Sequence, residues 1–171
     1  MSVAQRYHEL TKYAPETIAA HPGLDWDAKP SLFKRYHADD AVDLGPALLL
    51  EKDPVTGLPI VPPELVDGKV DLGALSTILL HTYGVTAVME DGDEEHYFRA
   101  APSAGALYPN EIFVAVRDIE GVEDGLHHYQ ILDHQLVPVC TGEYWADLQS
   151  QLFGHPSVSR ARVVFVLAAI F

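Results

Sequence analysis

The sequence FRAAPSAGALYPNEIFVAV, residues 98–116, is the stretch on which the prediction of the fold depends. A loop of very small residues leads to a Tyr-Pro corner and then to an apolar segment that predicts a strand. A Pro-Ser-Ala-Gly sequence forms turns readily, and Gly105 can adopt a positive φ, so the stretch can be a simple turn. Alternatively, small side chains let a flat ring lie against the backbone, with amide groups and the Ser103 hydroxyl facing its heteroatoms. These residues alone leave both interpretations open.

The segments on either side predict an α+β fold, because helices and strands mix without a regular βαβ order. Residues 71–84, DLGALSTILLHTYG, have apolar residues at helical spacing, with Asp71 placed to cap the helix and Gly84 to end it. The acidic residues 90–95 predict a solvated loop. The other predicted elements are the strand EIFVAVRD, a hairpin of GLHHYQIL and QLVPVC around Asp133-His134, a helix over residues 144–153 and a buried strand in ARVVFVLAAIF.

The composition excludes several classes of partner. The chain has 171 residues, of which 48% are hydrophobic, so it can bury a core of ordinary size. A net charge of −14 argues against nucleic acid as a partner. No segment has the length of a membrane span or the apolar core of a signal peptide, which predicts a cytoplasmic protein without a membrane partner. Cys140 is the only cysteine, and its place at the end of a predicted strand indicates a small buried thiol.

Two regions of different composition predict how the chain is organised. Residues 1–65 are expected to form an extended proline-rich arm with a short helix, because seven prolines lie between Pro22 and Pro63. Residues 66–171 are expected to form the core, which ends at Phe171 on its most apolar strand. A domain rarely ends on such a strand, so we expect the front part of a larger fold, completed by dimerisation or by a second domain.

Other chemistries find little support in the sequence. His127 and His128 are adjacent in a predicted strand, so they point to opposite faces, and no cysteine or carboxylate lies at a zinc-like spacing around them. We therefore predict no metal site. Ser103 does not lie in a Gly-x-Ser-x-Gly sequence, and the chain has no Gly-x-Gly-x-x-Gly or phosphate-loop motif. No catalytic residue is identified.

The small-residue loop also resembles that of a known family. Together with YHELTKYAP, LDWDAKPSLFKRY and LSTILLHTYGVT, the sequence FRAAPSAGALYPNEIFV resembles the SagB/ThcOx type of the FMN-dependent nitroreductase-like family. The resemblance implies a nitroreductase-like fold with a mixed or antiparallel sheet and flanking helices, with FMN at the interface of two protomers or two fused domains. It also implies hydride transfer to or from the flavin, with azoline oxidation in peptide maturation as the family-level expectation. The expected partners are a homodimer mate or a second nitroreductase-like domain, and a small-molecule or peptide substrate.

The resemblance implies which residues bind the cofactor. The family's loop at the isoalloxazine matches Pro102, Ser103 and Ala104, and Gly105 and Arg99 lie in the same pattern. Arg99 can instead be a solvated loop arginine.

The sequence departs from the family at two points. The Arg-Arg-Ser-x-Arg element that grips the flavin phosphate in many nitroreductases is missing, and Lys34 and Arg35 are the cationic candidates for that role. The family's Lys-Tyr pair, which follows a strand like that at residues 161–171, is also missing. The alternative function is therefore a non-catalytic half that completes the flavin site of a partner domain.

Overall fold

The computed structural model describes most of the chain and divides it into two compact units. The described residues are 1–12, 14–15, 31–37, 39–47, 49–61, 70–92, 94–142 and 144–169. The units are Met1–Ser31 and Leu32–Phe171. In the first unit, helix α1 (Val3–Thr11) begins at a capping box, in which the Gln5 amide donates to Ser2 Oγ and the Ser2 amide donates to Gln5 Oε1. No residue of α1 is buried.

The second unit is built on an antiparallel sheet. Its elements are β1 (Val42–Asp43), α2 (Leu72–Tyr83), β2 (Val85–Asp91), β3 (Glu94–Arg99), β4 (Asn110–Val116), β5 (Gly125–Gln130), β6 (Gln135–Thr141), α3 (Tyr144–Gln151), α4 (Pro156–Arg160) and β7 (Val163–Ala169). The strand order is β1-β6-β5-β4-β7, and every neighbouring pair is antiparallel. Strands β2 and β3 form a separate two-stranded ribbon. The predicted α+β class and antiparallel sheet are confirmed.

Helix α2 lies where the sequence predicts it and covers one face of the sheet. The Asp71 carboxylate accepts a hydrogen bond from the Ala74 amide at 2.8 Å, and the Gly84 amide closes the helix by donating to the Leu80 carbonyl at 2.9 Å. Leu75 and Leu79 are fully buried, which stabilises the fold by about 2 kcal/mol for each side chain. They pack in the main core, whose sheet residues are Ile112, Val114, Val116, Tyr129 and Leu136.

The opposite face of the sheet is covered by α3 and α4. Ala115 of β4 packs with Leu148 of α3 and Val158 of α4 in a second, smaller core. The Trp145 indole donates to the Val158 carbonyl at 3.2 Å, which ties the two short helices together. These contacts brace the end of β4 that lies away from the loop at residues 100–107.

Several local predictions are wrong. Glu90, Asp91, Glu94 and Glu95 do not lie in a loop but at the end of the β2–β3 ribbon, where exposed side chains tolerate charge, and Asp93 lies outside the described residues. Cys140 is exposed rather than buried, because the last three residues of β6 extend beyond the covered part of the sheet. Strand β7 is a half-exposed edge strand rather than a buried one, because among the strands that the structure describes it pairs only with β4.

A polar chain inside the core fixes the turn between β5 and β6. Ser76 Oγ lies 2.8 Å from His134 Nε2 and donates its proton to the Gly45 carbonyl at 3.3 Å, so Nε2 must be the donor of that pair. His134 Nδ1 then accepts from the Tyr129 hydroxyl at 2.8 Å. Only the neutral ring satisfies all these partners, and burial lowers the pKa of His134.

Stability is therefore expected to fall as the pH falls from about 7 to about 5. The folded-state pKa of His134 is lowered, so its contribution is present above the unfolded pKa of about 6.5 and is lost below it. The nearby Asp43 carboxylate acts in the opposite direction and is the smaller effect. The free energy of unfolding of His134→Asn, whose side chain is neutral and tolerates φ near +51°, should fall less over this range than that of wild type, as measured by urea unfolding.

The matched control is His37→Asn, because His37 is exposed. Its stability should fall with pH as that of wild type does. His127, whose pKa is also lowered by burial, is present in all three proteins, and its contribution therefore cancels. Parallel curves for His134→Asn and wild type would show that His134 is not the group that titrates.

Candidate functional site

The small-residue loop between β3 and β4, residues 100–107, has a strained backbone. Gly105 has a φ of +63°, which confirms the prediction of a positive φ at that position. Ala106 and Tyr108 also have positive φ values, 52° and 43°. Left-handed conformations cost non-glycine residues about 1–2 kcal/mol each. Strain of this kind is found at functional sites, where the surrounding structure holds the backbone in place.

Tyr108 holds the loop against the core. It is buried, and its amide donates to Ser103 Oγ at 2.9 Å, which closes the loop on itself. Its hydroxyl accepts a hydrogen bond from the Arg99 amide at 3.2 Å. At the start of the loop, the Ala100 amide donates to the Gly84 carbonyl at 2.9 Å, immediately after α2. The loop is thus fixed at both ends and across its middle.

Residues 102–105 are small, and three of their amides have no recorded acceptor among the described residues. Pro102, Ala104 and Gly105 are exposed, and a Cβ added at Gly105 would meet only the Leu107 side chain, at 3.8 Å. The Ala106 amide donates to the Ser103 carbonyl at 3.2 Å. The amides of Ser103, Ala104 and Gly105 donate to no recorded acceptor among the described residues. Residues 102–105 therefore combine small side chains with amides that have no recorded acceptor, and the larger Leu107 side chain, which is 52% exposed, lies at the end of the loop.

Arg99 lies next to this loop in a box of aromatic rings. Its guanidinium carbon is 4.8 Å from the ring centroids of Tyr83 and Tyr108 and 5.0 Å from that of Phe33. Nη2 donates to the Leu32 carbonyl, and the residue is only 5% exposed. Nε and Nη1 are buried and have no hydrogen-bond partner in the part of the chain that the structure describes. The alternative of a solvated loop arginine is wrong, because Arg99 ends a strand and is covered by three rings.

The other cationic candidates are engaged elsewhere. Arg35 Nη1 forms a half-exposed ion pair with Asp133 at 3.0 Å. Lys34 Nζ lies 5.0 Å from the centroid of the Tyr36 ring. No contact of either side chain with residues 100–107 is recorded among the described residues, so the structure does not bring them to the loop.

The aromatic box and a buried acid–histidine pair are not predicted from the sequence. Two walls of the box come from other parts of the sequence, Tyr83 at the end of α2 and Phe33 in the segment PSLFKRY. Only their aromatic character could have suggested that they pack against Arg99. Glu111 Oε2 lies 2.7 Å from His128 Nε2, with both side chains buried. The ring centroids of His128 and Tyr36 are 4.7 Å apart. No group of three or more metal-ligating side chains is found among the described residues.

Comparison with known proteins places these features in context. No family model matches the sequence. Two relatives bear the name "putative nitroreductase". One is MJ1384 from Methanocaldococcus jannaschii, which is 36% identical over 106 residues, or 62% of this chain and 50% of the relative. The other is a crystal structure from Anabaena variabilis, with 37% identity and a TM-score of 0.74 over 100% of this chain and 32% of that one.

A shorter similarity is to the trifolitoxin-processing protein TfxB of Rhizobium leguminosarum bv. trifolii, which is 46% identical over 43 residues, or 25% of this chain and 12% of TfxB. The chain therefore spans half or less of the length of these relatives. No helix in the described ranges has the length and apolar character that a membrane span needs. The agreement in both sequence and structure shows that this chain has the nitroreductase fold and supports its relationship to the nitroreductase-like proteins.

Proposed function

We propose that this chain is an FMN-dependent oxidoreductase domain in which residues 102–105 lie against the flavin ring. The observation that carries the proposal is the loop itself: a strained, exposed run of small residues with unused amide donors. The similarity of the chain to nitroreductase-like proteins supports a redox reaction.

The loop residues fit a flavin ring. An isoalloxazine is flat and carries heteroatoms along its edge, so it needs close backbone approach and hydrogen-bond donors. The exposed surfaces of Pro102, Ala104 and Gly105 allow that approach. Ser103 Oγ accepts from the Tyr108 amide, which leaves the hydroxyl proton of Ser103 to donate outward. We assign only the ring to these residues, because Lys34 and Arg35 are engaged with other groups.

The chemistry that FMN supplies when bound is hydride transfer with a substrate. The contribution of this chain is orientation and electrostatics. Amide donors at residues 103–105 and the buried charge of Arg99 favour negative charge on a group that lies against the loop, because fixed dipoles and charges act strongly away from bulk water. A backbone held by Tyr108 keeps these donors in place without reorganisation.

The finer parts of the proposal concern substrate and assembly. The similarity to a trifolitoxin-processing protein supports a role in peptide modification, and we propose azoline oxidation as the reaction. A homodimer mate or a second nitroreductase-like domain would cover the other side of the flavin, in a cytoplasmic setting. The alternative of a non-catalytic half is not favoured by relatives that bear the nitroreductase name.

A flavin-retention experiment tests the proposal. The purified chain is mixed with FMN, the excess is removed, and the visible absorbance of the retained flavin is measured. Wild type should stay yellow, whereas Ser103→Tyr and Ala104→Tyr should bind FMN about tenfold or more weakly, because a large ring would occupy the surface of the loop. The matched control is Ser150→Tyr, at an exposed position of α3, which should bind as wild type does.

Two results would contradict the proposal. Full retention by Ser103→Tyr and Ala104→Tyr would place the flavin elsewhere. A colourless wild-type chain would show that this chain alone does not hold the cofactor and would favour the alternative of a site completed by a partner.

A further inference from the structure

The β2–β3 ribbon has one anchored face and one open face. Residues paired across an antiparallel ribbon have their side chains on the same face. The pair Val88↔Tyr97 therefore shares one face, and the pairs Ala87↔Phe98 and Met89↔His96 share the other. On the first face the Tyr97 ring packs edge-on against Phe33, with 5.0 Å between centroids, which anchors the ribbon to the domain and leaves Val88 on that face 50% exposed.

The open face is apolar and uncovered. Met89 is 51% exposed and Phe98 is 41% exposed, with Ala87 and His96 also exposed between them. An isolated two-stranded ribbon is marginally stable in water and normally packs against a further element. The exposed apolar side chains therefore mark a surface suited to a partner.

The tip of the ribbon carries an unusual charge arrangement. Glu90 lies directly opposite Glu95, and Asp91 lies directly opposite Glu94. Like charges facing each other across a ribbon are destabilising. No ion pair to any of these four carboxylates is recorded among the described residues. A cationic group between the paired carboxylates would remove the repulsion, and Asp91 and Glu94 stand on the same face as Met89 and Phe98.

These features select one kind of partner. An anionic partner is disfavoured by the four carboxylates, and a second copy packed through the same face would bring two sets of these carboxylates together. We propose that the open face binds an extended peptide segment that carries both apolar and basic side chains. The apolar side chains would pack on Met89 and Phe98, and the basic ones would pair with Asp91 and Glu94.

The position of the ribbon connects this surface to the loop. Strand β3 ends at Arg99, and the small-residue loop begins at Ala100, so a segment bound along β3 leads towards residues 102–105. The surface then recognises a basic, apolar region of a peptide substrate. That identification as substrate rests on the proposed function, whereas the binding of the peptide does not.

The test uses a fluorescein-labelled peptide of about ten residues in which Val and Lys alternate. Its binding to the full chain is measured by fluorescence anisotropy at low ionic strength and without FMN. We expect binding that weakens as salt is added, and Kd values about tenfold or more higher for the same peptide with Glu in place of Lys or Ser in place of Val.

Two double variants locate the surface. Met89→Ser/Phe98→Ser and Asp91→Lys/Glu94→Lys should each raise the Kd for the Val-Lys peptide about tenfold or more. In Asp91→Lys/Glu94→Lys two like charges still face each other at the tip, so the repulsion across the ribbon is unchanged. Weaker peptide binding by this variant would therefore not come from a loss of β2–β3 pairing. The matched control Glu51→Lys/Glu120→Lys makes the same change in net charge at two exposed positions and should bind as wild type does.

The proposal fails if the Glu-containing peptide binds as tightly as the Val-Lys peptide, or if the control variant weakens binding as much as Asp91→Lys/Glu94→Lys. It also fails if light scattering shows a wild-type dimer that becomes a monomer in Met89→Ser/Phe98→Ser, because a second copy then covers the face. Flavin retention by wild type is measured separately. Peptide binding by a colourless chain would therefore overturn the proposed function and leave the docking surface standing.

Discussion

Arg99→Met is expected to lower the free energy of unfolding by about 2 kcal/mol and to weaken FMN binding about tenfold or more. Methionine fills a similar volume but loses the charge-assisted hydrogen bond to the Leu32 carbonyl and the contacts of the cation with three rings. The rings include Tyr108, which holds Ser103 in place, so the loop loses support as well. Urea unfolding and flavin retention measure the two effects.

The desolvation cost of the buried cation acts in the opposite direction, so the sign of the change in unfolding free energy for Arg99→Met is informative. A buried cation without a carboxylate partner costs several kcal/mol in desolvation. We expect the rings and the Leu32 carbonyl to outweigh that cost, because they surround the guanidinium of Arg99 and replace its water. Arg99→Lys should also be less stable than wild type, because a compact ammonium cannot contact all three rings and the carbonyl. An Arg99→Met protein more stable than wild type would contradict this and would indicate that the charge is kept for a ligand.

Gly125→Ala is expected to lower the free energy of unfolding by about 3 kcal/mol. A Cβ at Gly125, whose φ is +153°, would lie 2.3 Å from the Cys140 carbonyl oxygen and 2.8 Å from the Thr141 Cα. Both atoms belong to the backbone of the paired strand β6, so the β5–β6 pairing must shift to make room. Urea unfolding measures the loss.

Gly57→Ala separates the clash from the effect of a positive φ. Gly57 has a φ of +69°, and a Cβ added there meets no atom within 4 Å. Its replacement should cost about 1 kcal/mol. If Gly57→Ala and Gly125→Ala lowered the free energy of unfolding equally, the β5–β6 pairing would adapt to a Cβ without cost. The close approach of Gly125 to the backbone of β6 would then not matter for stability.

The sequence predicts the fold best where a local signal and the packing agree. The Asp71 cap, the apolar stripe and the Gly84 end define α2 from short-range rules. The structure confirms the cap, the end and the burial of Leu75 and Leu79, but Ile78, which the stripe places in the core, is exposed. The positive φ of Gly105 was predictable for the same reason, because a glycine among small residues relieves a strained turn. The α+β class followed from the order of such elements.

The rest depends on contacts between distant residues. The charges at residues 90–95 suggested a loop, because composition cannot distinguish a solvated ribbon from a solvated turn. The exposure of Cys140 depends on where the covering elements stop. The burial of Arg99 requires Phe33 and Tyr83 to meet it, and no spacing rule connects these three positions. The binding roles of Arg99 and of residues 102–105 remain predictions.

The contacts that attach residues 33–36 to the sheet have a consequence for the order of folding. The Tyr36 amide donates to Gln130 Oε1, and Arg35 pairs with Asp133, across sequence separations of 94 and 98 residues. Closing so long a stretch of chain is entropically costly before these contacts form, whereas the β5–β6 hairpin closes locally. We therefore expect the segment to join the sheet only after the β5–β6 hairpin has formed. Because it carries Phe33, each departure opens one wall of the box and lets water reach Arg99, so partial unfolding and hydration of this charge are one event.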